Sequence, residues 1–243
     1  MILDPKRSEP WFNERLTSIT GENVWCKQDE IIYNQINRQN AKLNFFYQAF
    51  EFISENSIVG DYHEFGCHRC RTFRMALLES SRHFLENEMR FFAYDSFKGL
   101  PKVETDHKFG SKWNEGSLFT SKEEFTKLIT ESGFKIDNIQ LVEGFYNETL
   151  PLIDKEKLYF GQKASLINID CDLYESAVPV FNHIESLIQE GTILYIDDYF
   201  TGYKGNPLKG VSLALNEWSE VSNWKLEKYR DVGYAGRSYV LYK

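Results

Sequence analysis

The sequence predicts a doubly wound α/β sheet, and three observations carry that expectation. Beyond residue 59, short apolar runs alternate with segments of helical periodicity. Several of the runs (FFAY, SLINI, ILYI) lack polar alternation, as expected for parallel strands covered on both faces. The last two strand-like segments have no helix between them and flank a glycine-containing turn, DVGYAGR. With 243 residues, 42% hydrophobic and 16% aromatic, the chain is long enough to bury one α/β core.

The elements follow in order. Residues 8 to about 56 read as helical, with Ile32, Ile36, Leu43, Phe46, Phe50 and Ile53 near helical spacing. They form an expected N-terminal helical cap, residues 1–57, ahead of the α/β core at 58–243, within a single domain spanning 1–243. Such a cap would cover a pocket, form a homodimer contact, or simply pack on the core. Candidate strands are 61–65, 90–94, 139–142, 164–169 and 192–196, and candidate helices are 72–84, 121–132, 174–189 and 208–221. The tail segments 225–229 and 238–242 read as an antiparallel hairpin closing one edge of the sheet.

Bulk properties narrow the function. A net charge of −8 argues against nucleic-acid binding, which relies on clustered Lys and Arg. No apolar stretch approaches the ~20 residues needed to span a bilayer. The start, MILDPKRSEPWFNERL, carries charges where a signal peptide needs an apolar run. A soluble, cytoplasmic protein without membrane or nucleic-acid partners is the expectation. The four cysteines, Cys26, Cys67, Cys70 and Cys171, are too few for a disulfide framework. Cys67 and Cys70 form a C-x-x-C pair, but no second pair of metal ligands accompanies it, and nothing else supports redox chemistry. They read as buried or turn-lining thiols.

Ligands of open α/β sheets bind outside the carboxyl ends of the strands, so the residues at those ends matter most. The five candidate strands finish at Glu64 and Gly66, at Asp95, at Glu143, at Asp170 and Asp172, and at Asp197 and Asp198. Every strand thus ends in or beside a carboxylate. Gly66 opens the turn HEFGCHRCRT into a helix whose N-terminus offers free N–H groups. The run is not G-x-G-x-x-G, which disfavours a pyrophosphate. Asp95 sits where an acidic side chain accepts both hydroxyls of a ribose. A ribose without pyrophosphate points to a nucleoside such as S-adenosylmethionine.

Asp170, Asp197 and Asp198 are a second constellation. Neighbouring strand ends lie about 5 Å apart, and carboxylates that close repel unless a cation neutralises them. All-oxygen ligation favours Mg²⁺, with Ca²⁺ or Mn²⁺ also compatible. Asp172 is expected to cap the helix that begins near Tyr174.

The segments HEFGCHRCRT, AYDSFKGLP, EGFYNETLP, NIDCDLYESA and ILYIDDY, in this order, resemble the macrocin O-methyltransferase family, over roughly residues 59–221. These are class I, S-adenosylmethionine-dependent enzymes that methylate sugar hydroxyls on macrolides and related glycosides. The resemblance implies a seven-stranded, Rossmann-like methyltransferase sheet with the cofactor over the ends of the first two strands. The candidate cofactor contacts are Glu64, Gly66, Cys67, Thr72, Asp95, Ser96, Glu143, Gly144 and Asp170. Mg²⁺ would sit on Asp170, Asp197 and Asp198. This chain departs from the pattern at Cys70, where the family's glycine is usual.

The expected activity is metal-assisted O-methylation of a small-molecule or glycoside hydroxyl. Asp170 would take the proton, assisted by His107 in the polar loop 102–118, which has the length of a substrate lid. Two other readings remain: a metal-dependent glycosyltransferase, with Asp170-Cys171-Asp172 as a D-x-D site, and a non-catalytic binding module on a methyltransferase-like fold.

Overall fold

The computed structural model describes residues 16–22, 24–102 and 114–243. His107 and most of the expected lid loop lie outside the described residues. The chain divides into two compact units, one ending at Ala41 and one running from Lys42 to Lys243. The first helix, α1 (Lys27–Glu55), contributes to both.

The expected helix from residue 8 is corrected for the described part: residues 16–22 and 24–26 are not helical. Asp29 explains the late start. Its Oδ2 accepts the Cys26 N–H at 2.9 Å, and its Oδ1 accepts the N–H groups of Ile19 and Thr20 at 2.7 Å each. A side chain in the first turn that reaches back to the preceding N–H satisfies donors the helix leaves free, and so defines its beginning.

In the larger unit, seven strands form one sheet: β1 (Asp61–Phe65), β2 (Phe91–Asp95), β3 (Ile139–Glu143), β4 (Ala164–Ile169), β5 (Ile193–Ile196), β6 (Lys225–Val232) and β7 (Gly236–Tyr242). Their order is β3-β2-β1-β4-β5-β7-β6. The first five run parallel, and β7 joins β5 antiparallel with β6 outside it. The tail hairpin expected from the sequence therefore does close one edge. Helices α2 (Arg71–Arg82), α3 (Lys122–Glu131), α6 (Tyr174–Ile184) and α7 (Gly210–Val221) fill the crossovers. Two short helices, α4 (Tyr146–Thr149) and α5 (Lys155–Tyr159), link β3 to β4 and have no counterpart in the sequence reading. Their few residues are too short for a periodic signal. The helix at 174–189 ends earlier than expected, at Ile184.

The sheet separates two apolar layers, because successive side chains of a strand point to opposite faces. Phe92 and Tyr94 join Phe181, Trp218 and Leu194 on one face. Phe91 and Ala93 join Phe45, Phe46, Phe73 and Phe125 on the other. On α1, Phe45, Phe46, Ala49, Phe50 and Ile53 are all at most 2% exposed, whereas Ile36 of the expected stripe is 50% exposed. Burying each large side chain contributes roughly 1.5–3 kcal/mol.

The register sets the strand ends level. Phe65 lies opposite Tyr94 and Ile169, and Ile169 lies opposite Ile196. Gly66, Asp95, Asp170 and Asp197 each follow one of these residues, so they emerge along one edge. Strand order reverses between β1 and β4, which places the switch point at Gly66 and Asp170.

A buried polar relay crosses the first layer. His63 Nδ1 lies 3.0 Å from the Tyr94 hydroxyl, which lies 2.8 Å from that of Tyr159, itself 2.6 Å from His183 Nε2. Burial, reinforced by Lys155, pushes His183 down to about 4, and burial holds His63 well below its ordinary value. Both rings are therefore neutral in the fold, while in the unfolded chain they protonate near ~6.5. The unfolded state then binds more protons below that pH, so stability is present above it and is lost as pH falls toward about 4. The expected slope is up to ~1.4 kcal/mol per pH unit for each histidine. Urea midpoints between pH 7.5 and 5 should fall accordingly, and His183→Gln should flatten the fall. A slope that His183→Gln leaves unchanged would assign the acid response to other groups.

Candidate active site

The turn after β1 is the first component. Gly66 has φ +95°, and a Cβ there would stand 1.8 Å from the Asp170 carbonyl oxygen. Only glycine fits, because the Asp170 N–H bonds to the Phe65 carbonyl at 2.8 Å and draws the two strand ends together. A 3₁₀ turn at His68–Cys70 then enters α2, with Arg69 and Cys70 both at φ 55°. Thr120 supports this left-handed pair: its Oγ1 accepts the Arg69 N–H at 3.0 Å and lies 3.0 Å from His68 Nδ1. Cys70, where the resemblance leads one to expect glycine, is fully buried. Cys67 and Cys70 are free thiols, and burial raises both above the ordinary range, which suits packing rather than thiolate chemistry.

Glu64 is also fully buried, and its oxygens face the protein rather than the crevice. It accepts bonds from the Tyr62 hydroxyl, from Thr72 Oγ1 at 3.0 Å and from Asn168 Nδ2 at 3.2 Å. Burial pushes it up to about 7. Glu64 and Thr72 together fasten the start of α2 to the end of β1.

Asp95 ends β2 and clamps two loops. Its Oδ2 accepts the Cys67 N–H at 2.8 Å and its Oδ1 the Phe97 N–H at 2.8 Å. Each carboxylate oxygen keeps a second lone pair, so hydroxyl donors can still be accepted. The Ser96 hydroxyl donates to the Gly99 carbonyl at 2.7 Å, within its own loop. Gly144 N–H donates to the Asp95 carbonyl at 3.0 Å, bringing the end of β3 alongside. Glu143 is exposed on this edge strand and pairs with Lys122 at 2.5 Å, an interaction that lowers its pKa.

The carboxylates after β4 and β5 are the second component. Asp170, Asp172 and Asp198 each offer an oxygen within 4.8 Å of the others. Asp172 is not the cap of α6, contrary to the sequence expectation. That position belongs to Leu173, with no side-chain cap, while Asp172 takes φ 60° and donates its N–H to Asp198 Oδ2 at 3.1 Å. Its carboxylate thereby turns into the cluster. Burial, and then Asp170, push Asp172 up to about 8, while burial and neighbouring carboxylates raise Asp170 and Asp198 well above the usual range.

Asp197 stands differently from its neighbour Asp198. Its Oδ1 accepts the Tyr195 hydroxyl, and its Oδ2 lies 2.7 Å from Lys42 Nζ. Lys42 also approaches Asp170 Oδ2 at 3.5 Å. Burial would lower the Lys42 ammonium, but Asp170 and Asp197 outweigh it and raise its pKa. Lys42 is the residue sequence reasoning missed. Its signal was a cation in line with Phe45, Phe46 and Ala49 at spacings of three, four and seven, on a face otherwise apolar.

The donors fit a hard divalent cation. All are carboxylate oxygens, and opposite ligands of such an ion lie about 4–5 Å apart, comparable with the 4.8 Å limit here. The fit to a nucleoside rests on the remaining acceptor capacity of Asp95 and on the glycine turn at the switch point.

A family profile described as Macrocin-O-methyltransferase (TylF) matches residues 30–221. The chain is 25% identical over 156 residues to 8-demethyl-8-(2,3-dimethoxy-alpha-L-rhamnosyl)-tetracenomycin-C 4'-O-methyltransferase of Streptomyces olivaceus, covering 61% of this chain and 56% of that one. It is 25% identical over 160 residues to demethyldecarbamoylnovobiocin O-methyltransferase of Streptomyces niveus, covering 63% and 57%. The chain thus spans a little over half the length of the curated relatives it matches. Among solved structures, the calicheamicin methyltransferase CalS11 superposes with a TM-score of 0.64 at 20% identity, covering 91% of this chain and 87% of that one. The seven-stranded order with its antiparallel final pair is the class I methyltransferase sheet. With four-fifths of its length under one profile, the chain belongs to the macrocin O-methyltransferase family.

Proposed function

We propose that the chain transfers the methyl group of S-adenosylmethionine to a hydroxyl of a sugar or glycosylated small molecule, assisted by a divalent cation. The observation that carries this reading is the convergence of Asp170, Asp172 and Asp198 beside a glycine turn and a β2-terminal aspartate, Asp95. Family membership supports methyl transfer. The tetracenomycin relative is named for a rhamnosyl-bearing substrate, which supports a glycoside acceptor.

S-adenosylmethionine would be held by the turn from Gly66 and Cys67 to Thr72, with Asp95, Ser96, Glu143, Gly144 and Asp170 around it, and would supply an electrophilic methyl. Mg²⁺, or Ca²⁺ or Mn²⁺, would be held by Asp170 and Asp198, with Asp172 and Asp197 adjoining, and would supply charge that acidifies the acceptor hydroxyl.

The chain's own contributions are positioning and proton transfer. Asp170 lies at the switch point, between the turn and the carboxylate cluster, and would accept the hydroxyl proton at a carboxylate oxygen. Glu64 and Thr72 hold the turn from behind. The hydrogen bonds of Asp95 to Cys67 and Phe97 fix the cofactor side of the crevice. Holding both reactants on one rigid sheet edge supplies orientation.

Three outcomes follow. Asp170→Asn should lower turnover by ~10²–10⁴-fold in a methyl-transfer assay with cofactor and Mg²⁺ saturating. EDTA should abolish transfer and Mg²⁺ restore it. An undiminished rate in Asp170→Asn would remove that residue from the chemistry, and activity persisting in EDTA would remove the metal. Asp95→Ala should weaken S-adenosylhomocysteine binding by roughly 10–100-fold, the value of hydrogen bonds to a charged group. Calorimetry showing wild-type affinity would place the nucleoside elsewhere.

A further inference from the structure

The carboxylate cluster already contains a cation of the chain's own. Lys42 Nζ lies 2.7 Å from Asp197 Oδ2 and 3.5 Å from Asp170 Oδ2, and its side chain is only 18% exposed. The Tyr195 hydroxyl holds the other oxygen of Asp197, so that carboxylate is gripped on both sides. The ammonium is delivered with little freedom. Phe45 and Phe46, one turn along α1, are buried against the sheet, and the Phe45 ring lies 4.5 Å from that of Tyr195. One packed unit thus carries both the cation and the hydroxyl that fix Asp197.

Four carboxylates, Asp170, Asp172, Asp197 and Asp198, crowd two adjacent strand ends. Without a cation they would repel strongly in so little water. We infer that Lys42 is the resident counter-cation of this cluster: it holds Asp170 and Asp197 together in the metal-free chain and sets how tightly a divalent ion binds. It occupies the Asp197 side and leaves the Asp170, Asp172 and Asp198 oxygens facing one another. Lys42 is a positioning residue here, acting through the carboxylates. The inference rests on the reading of the cluster as a divalent-cation site.

Two measurements on the full chain test it, using Mn²⁺ as the probe. In EDTA, Lys42→Met should melt several degrees below wild type, whereas Lys42→Arg, which keeps the charge, should lie close to it. Removing both partners in Lys42→Met/Asp197→Asn should cost less than the two single losses combined, since the stranded charge is gone as well. By calorimetry, Lys42→Met should bind Mn²⁺ roughly tenfold more tightly than wild type, because a competing positive charge has left. Saturating Mn²⁺ should then close the gap in melting temperature. A lysine that merely packed would not tighten metal binding when removed. If Lys42→Met folds only with Mn²⁺ present and unfolds on chelation, that supports the inference equally. Metal-free melting equal to wild type, or Mn²⁺ affinity unchanged or weakened, would overturn it. Wild-type chain that takes up no Mn²⁺ would refute the metal reading and, with it, the claim about affinity. The double-variant comparison in EDTA needs no metal, and additive losses there would overturn the remaining claim.

Discussion

Mutual repulsion among carboxylates at the ends of β4 and β5 is the constraint on which the rest of the site depends. Parallel pairing sets those ends side by side, with Ile169 opposite Ile196, and the next residue on each strand is an aspartate. No local rearrangement relieves this, because the strands are buried on both faces. The structure accommodates the charge in three ways. Lys42 supplies a positive charge, Tyr195 donates to Asp197, and the Asp172 N–H donates to Asp198. Each comes from a different element, so the cluster ties α1, β5 and the β4–α6 loop together electrostatically.

A second pole lies across the switch point, built from hydrogen bonds to backbone N–H groups. Gly66 permits the β1 turn to pass within contact of the Asp170 carbonyl, and Asp95 anchors that turn from β2 through the Cys67 N–H. The left-handed Arg69 and Cys70 would each cost about 1–2 kcal/mol. Thr120, from just ahead of α3, helps offset this by holding the Arg69 N–H. A methyl donor on this side and an acceptor hydroxyl on the carboxylate side would meet at Asp170, the residue common to both poles. The proposed chemistry would thus sit where two strand ends diverge, the place where open α/β sheets bind their ligands.

Much of this was legible in the sequence. The strand at 61–65 and the one at 164–169 were bounded as observed, because a glycine closes the first at Gly66 and an aspartate the second at Asp170. The terminal hairpin was legible because no helical period separates its strands. Less legible were features that depend on which atom turns where. Asp172 reads as a helix cap by its position, yet its φ of 60° turns it toward Asp198 instead. Glu64 reads as a ligand-facing strand-end acid, yet Tyr62, Thr72 and Asn168 enclose it. Lys42 lies 128 positions before Asp170, and no local spacing connects them.

By itself the sequence determined the alternation of strands and helices, the edge of the sheet where acidic residues collect, and the glycine turn that opens the crevice. Those follow from period, propensity and the steric demands of one residue, which are local. The tertiary structure alone decided which carboxylates face one another, which oxygens are already occupied, and which cation reaches them. Those depend on distances between segments remote in the chain, set by strand register and by the packing of α1 against the sheet.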